Sequence, residues 1–92
     1  MLYTAKCYWP GVTEDELRMA TARAREDRAG HNVSYRGALY LPGDELVLCL
    51  FDAPSREAVK QSSERAGMPC ERVIETVWIE PRGEGGDAAC ES

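Results

Sequence analysis

The chain predicts an α+β fold: one four-stranded antiparallel sheet with two helices on one of its faces. Three observations predict it. Strand-like apolar runs occur four times, at residues 2–9, 32–41, 45–52 and 71–80. Helix-start chemistry occurs twice, after Pro10-Gly11 and at Pro54-Ser55. Their order is β-α-β-β-α-β, and two βαβ units joined by a hairpin form the ferredoxin-like arrangement. Each crossover is expected to be right-handed, which puts both helices on the same side and leaves the other sheet face bare.

Each element has a local reason. The run LYTAKCYW alternates and is rich in aromatic residues, a strand pattern that Pro10-Gly11 ends. Thr13 and Glu16 have the spacing of a capping box. The acids Glu14, Asp15 and Glu16 suit the positive end of a helix dipole. Leu17, Ala20, Thr21 and Ala24 continue at helical spacing, and Gly30 is a C-terminal stop. The run NVSYRGALYL is the second strand, and Leu41-Pro42-Gly43-Asp44 reads as a type II turn. The third strand is Glu45 to Asp52, and Ser55 caps a second helix that runs to Ala66, before Gly67 and Pro69. Glu71 to Glu80 is the last strand, closed by Pro81.

Ninety-two residues make one small domain, placed here at 1–81. Residues 82–92 are rich in glycine and acid and read as a flexible tail. A core this small is commonly supplemented by oligomerisation or a ligand. The four cysteines, Cys7, Cys49, Cys70 and Cys90, are not taken as a disulfide framework. The N-terminus has no charged segment followed by a long apolar one, so a cytoplasmic location with reduced thiols is expected. The formal net charge is −5, with Lys and Arg scattered, which argues against nucleic acid and against an anionic membrane surface.

Function depends on which residues line the bare face. If Leu41 and Asp44 flank the turn, Arg36 opposes Cys49 and Ser34 opposes Phe51. Cross-strand partners share a face, so Ser34, Arg36, Ala38, Tyr40, Val47, Cys49 and Phe51 lie together. The alternate set, Val33, Tyr35, Gly37, Leu39, Leu46, Leu48 and Leu50, is more apolar and is assigned to the helix-packed core. A one-residue register change would exchange the two. In the first strand Tyr3, Ala5, Cys7 and Trp9 form the apolar side; Thr4, Lys6 and Tyr8 form the polar one. Cys7 is thus expected on the face opposite Cys49, which argues against a disulfide between them. The last strand is apolar on both sides, as a strand covered on both faces would be.

The expected site is therefore a polar-aromatic sheet face. Lys6, Arg36 and Cys49 are its candidate catalytic groups, and Tyr8, Ser34, Tyr40, Phe51 and Trp78 its ligand-binding residues. Cys49 has a plainer reading as a small core hydrophobe and a sharper one as a nucleophile, which requires an activating base. Lys6 either pairs with Glu45, Glu75 or a partner's acid, or binds an anion and takes part in acid-base chemistry. Arg36 either grips a ligand carboxylate or bridges a dimer. Pairing two bare faces about a two-fold axis would cover both, so a homodimer is expected.

The stretches GVTEDEL (Gly11 to Leu17), CLFDAPSREA (Cys49 to Ala58), ERAGMP (Glu64 to Pro69) and VIETV (Val73 to Val77) resemble a family of small bacterial ferredoxin-like proteins. That domain family of unknown function includes a nickel-binding, nickel-responsive member. The resemblance implies a dimer of the dimeric α+β barrel type, and nickel as a possible cofactor. Members often carry histidines in the first strand, first helix and second helix, where this chain has Lys6, Thr21 and Ser63. The only histidine, His31, lies outside that pattern. Any metal ligands would have to come from Cys49, Asp52 and His31, or from the tail around Cys90; otherwise no metal and no cofactor is expected.

Three functions follow as expectations. The first is a homodimeric binder of an apolar or aromatic small molecule, with cofactor-free isomerase, cyclase or monooxygenase chemistry open to it. The others are a nickel or other transition-metal binder and a structural dimerisation module.

Overall fold

The structure is a computed structural model and describes residues 1–27 and 32–81. Its elements are β1 (Leu2–Tyr8), α1 (Glu14–Glu26), β2 (Ser34–Leu41), β3 (Leu46–Asp52), α2 (Arg56–Arg65) and β4 (Cys70–Thr76). The strands form one antiparallel sheet in the order β2-β3-β1-β4. This is the predicted ferredoxin-like arrangement, with β1 and β3 central. His31, Cys90 and the tail expected over 82–92 lie outside the described residues.

Both helices begin as the sequence dictates. The Thr13 hydroxyl accepts from the Glu16 amide at 3.1 Å, and the Glu16 carboxylate accepts from the Thr13 amide at 3.0 Å. The Ser55 hydroxyl accepts from the Ala58 amide at 3.2 Å and caps α2. Leu17, Ala20 and Ala24 of α1 and Val59 of α2 are buried against the sheet. The helix ends are tied together: Arg65 donates to Asp27 at 2.7 Å, the Ser62 hydroxyl donates to Asp27 at 3.1 Å, and Arg23 Nε donates to the Ala66 carbonyl at 3.0 Å.

The expected faces of β3, and of β2 beyond its bulge, are reversed, while Ser34, Tyr35 and Arg36 lie on their expected sides. Val47, Cys49 and Phe51 are fully buried beneath the helices, and Leu46, Leu48 and Leu50 are the partly exposed residues of β3. The grouping of Ala38 and Tyr40 with Val47 and Cys49 holds, but their side is the core side: Tyr40 pairs with Val47 and Ala38 with Cys49. The reason lies in side-chain size. β3 is apolar on both faces, so apolarity alone does not choose between them. The side opposite the helices takes the leucines. The helix side takes small or flat residues, Ala5, Cys7, Cys49 and the Phe51 ring, which let the helices approach closely.

Two backbone features also differ from expectation. Residues Pro42–Asp44 form a short 3-10 turn with Glu45 left-handed at φ 55°, rather than a type II turn, so Leu41 pairs with Leu46. In β2 a bulge makes Arg36 the extra residue, and Gly37 takes φ 134°, which a side chain would resist. The bulge shifts the alternation, so Tyr35 packs inward against Phe51, ring centroids 5.4 Å apart. β4 ends at Thr76 rather than Glu80, leaving Val77, Trp78 and Ile79 exposed beyond it.

Candidate functional site

The open face of the sheet is built by the residues that oppose one another across β2-β3-β1-β4. Leu39, Leu48, Lys6 and Arg72 form one cross-strand row. Gly37, Leu50, Thr4 and Ile74 form the next, and Ser34, Asp52, Leu2 and Thr76 the third. Leu41, Leu46 and Tyr8 close one end. Leu39 is 58% exposed. The result is an apolar, leucine-lined surface with the Lys6 ammonium on a central strand.

Among the described residues, Lys6 pairs with Glu71 at 4.0 Å. This is a partner the sequence reading did not weigh, and at that distance on a partly exposed pair it is weak. Glu45 instead accepts from the Tyr8 hydroxyl at 3.4 Å. Arg36, thrown toward the open face by the bulge, lines a hollow of about 340 Å³ with Leu2, Leu50, Trp78 and Glu80. Trp78 donates its indole N–H to Glu80 at 2.9 Å, which fixes the ring at the rim. Ser34 is exposed at the edge of this face, opposite Asp52. The Asp52 carboxylate accepts from the N-terminal ammonium at 3.0 Å, and that hydrogen bond and charge hold its pKa below the usual carboxylate value.

The structure thus brings Lys6, Tyr8, Ser34, Arg36 and Trp78 to the open side and takes Cys49, Phe51 and Tyr40 away from it. Cys49 donates to the Met68 sulfur at 3.6 Å in the core. Tyr40 donates its hydroxyl to the Val12 carbonyl at 3.2 Å, pinning the loop that enters α1. Cys7 shares the core side with Cys49, against the expected opposition of the two. Sequence reasoning missed the leucines of β3 as site residues. Gly37 signalled only the β2 bulge, as a glycine inside a strand pattern does, and β3 carried no signal for its own faces.

On the helix side, α1 and the edge strand β2 enclose a groove of about 310 Å³, lined in part by Arg18, Thr21, Arg25, Tyr35 and Tyr40. Burial pushes the Tyr35 phenol up from its usual value. The three positions matched to family histidines do not converge here. Lys6 lies on the open face, Thr21 lines the α1-β2 groove, and Ser63 is buried under α2, donating to the Lys60 carbonyl at 2.9 Å. Cys49 and Asp52 face opposite sides of the sheet. Among the described residues, no three His, Cys, Asp or Glu side chains are grouped to hold a metal ion. The described donor set, interior thiols and dispersed carboxylates with no imidazole, does not fit a resident nickel ion, which favours imidazole and clustered thiolate. Among the described residues no helix is long and apolar enough to cross a membrane.

Fold and open face together define a ferredoxin-like α+β protein with an uncovered apolar sheet surface. The chain belongs to the SCO4226-like family of nickel responsive proteins, whose model matches residues 6–76. It is similar to the crystal structure of SCO4226 from Streptomyces coelicolor A3(2), with 26% identity and a TM-score of 0.75, covering 87% of this chain and 100% of that one. No curated protein matches the chain.

Proposed function

We propose that the protein is a homodimer that holds a small apolar or aromatic molecule against its open sheet face, with Lys6 and Arg36 gripping the polar end of that molecule. The observation that carries this reading is the leucine-lined face with a weakly paired ammonium on a central strand. A contiguous apolar face of this kind is rarely left to water, and two-fold pairing of identical faces covers it without leaving a free copy of the surface. A lysine between two such faces is costly unless an anion or carbonyl oxygen meets it. The hollow bounded by Arg36, Leu50 and Trp78 supports an occupant with an apolar body. Either cation would polarise a carbonyl that reached it, the requirement of cofactor-free isomerisation, cyclisation or oxygenation.

Native mass spectrometry of untagged protein tests the reading. A dimer carrying an organic mass, lost in Lys6→Met and Arg36→Met, supports it. A dimer with no organic mass, in which both variants behave as the parent, would leave only a dimerisation module and overturn the ligand.

A second reading follows from family membership, a response to nickel. The described side chains do not supply the chelate, so it rests on His31 and Cys90 or on a site shared between chains. Calorimetric titration with nickel decides it: a tight stoichiometric isotherm abolished by His31→Ala supports it, and heats of dilution alone end it.

A further inference from the structure

Three thiols lie in a row across adjacent strands on the core side of the sheet: Cys49 on β3, Cys7 on β1 and Cys70 on β4. Neither the ligand reading nor the nickel reading uses this row. Its geometry separates one pair from the other. Cys7 and Cys70 are direct cross-strand partners at the end of the β1-β4 ladder, where a bulge leaves Glu71 as the extra residue. Direct antiparallel partners have Cα atoms about 4.5–5.5 Å apart, within the span of about 4.4–6.8 Å that a disulfide bridges. Cys49 pairs with Ala5, so its backbone lies diagonal to that of Cys7, about 7–8 Å away, although the two thiols are near enough to interact. Cys49 is also engaged with Met68. Cys7 has no accessible surface, whereas Cys70 is only partly buried. Cys70 opens onto a hollow of about 230 Å³ lined by Arg56, Glu57, Lys60, Glu71, Arg72 and Val73.

We propose that Cys70 and Cys7 are a thiol-disulfide exchange site, Cys70 reacting with a small carboxylate-bearing disulfide such as oxidised glutathione and Cys7 resolving the product. Cys70 sulfur attacks the small disulfide, forming a mixed disulfide and releasing one small thiol. Cys7 sulfur then attacks Cys70, forming the Cys7–Cys70 bond and releasing the second small thiol. The two protein thiols are oxidised, the small disulfide is reduced, and the two protein protons leave on the two released thiols. Arg56 and Lys60, on the exposed face of α2, offer cations to the reagent's carboxylates, and Lys60 favours the Cys70 thiolate. The Cys7 thiol and burial work against that thiolate, so exchange is slow at neutral pH and quickens as pH rises. The site is on the helix side of the sheet and stays open if the other face is covered.

The experiment incubates fully reduced protein with oxidised glutathione and follows intact mass, then maps the bridge by peptide mass spectrometry. The expected product has lost two hydrogens, is bridged between Cys7 and Cys70, melts higher than the reduced form, and reverts with a reducing agent. Cys7→Ser traps one glutathione on Cys70, Cys70→Ser blocks the product, and Cys49→Ser and Cys90→Ser form it unchanged. A bridge mapped to Cys90 or Cys49, or a parent protein that keeps its reduced mass, overturns the proposal. Mapping on the parent protein decides the outcome even where a variant at buried Cys7 fails to fold.

Discussion

At the scale of single residues, the helix side of the sheet is where substitution costs most. Phe51 is fully buried and meets the edge of Tyr35, so Phe51→Ala removes a ring's burial and leaves a cavity. We expect a loss of about 3–5 kcal/mol in urea unfolding; a loss below about 1 kcal/mol would mean that the ring is not in the core. Cys7 makes a pH-dependent contribution. The neighbouring Cys49 thiol, with burial adding, pushes the Cys7 thiol from an ordinary 9.0 up to about 12. A folded-state pKa raised above the unfolded value gives stability that is fully present below the unfolded pKa and is lost as pH rises through the folded one. The melting temperature should therefore fall between pH 9.0 and about 12, and Cys7→Ala should flatten that fall. Equal slopes for parent and variant would assign the loss to other groups.

The elements carry their own tests. The capping box at Thr13 was legible in the sequence because it depends on two residues three apart, with no long-range input. Thr13→Ala should cost about 1 kcal/mol, read as a lower urea midpoint with an unchanged slope. The end of α2 is as local. The Gly67 amide donates to the Glu64 carbonyl and the Met68 amide to that of Ser63, each at 3.0 Å, a closure that needs Gly67 left-handed at φ 78°. A Cβ at Gly67 would sit 3.3 Å from the Arg23 guanidinium, which also holds the Ala66 carbonyl. Gly67→Ala should cost about 1–2 kcal/mol, and an unchanged melting temperature would show that the turn relaxes freely. The strands were less legible. β4 reads as apolar to Ile79, but pairing stops at Thr76, because β1 offers its last partner, Leu2, there.

For the whole molecule, the open face predicts association. Leu39→Glu with Leu50→Glu places two carboxylates on that face without touching the helix-packed side. Sedimentation velocity should show the double variant as a monomer with the parent's circular dichroism. A double variant that still sediments with the parent would place any interface elsewhere. Lys6, Tyr8, Arg36, Ser34 and Trp78 were legible as open-side residues, whereas Cys49, Phe51 and Tyr40 were misplaced. The first strand mixes Thr4, Lys6 and Tyr8 against Tyr3, Ala5 and Cys7, so polarity decides its faces. In the third strand Leu46, Leu48 and Leu50 compete with Val47, Cys49 and Phe51, and polarity decides nothing.

By itself the sequence determined the order of elements, both helix caps, the family and the membership of the two sides of β1 and β3. These depend on near neighbours: alternation, capping spacing, and turn residues that set local dihedrals. The tertiary structure alone decided which side of β3, and of β2 beyond its bulge, the helices cover, and that Cys7 lies between Cys49 and Cys70. Those depend on a bulge and on which side chains let two helices approach closely. Packing over distant parts of the chain settles both, and locally only Gly37 marks the bulge.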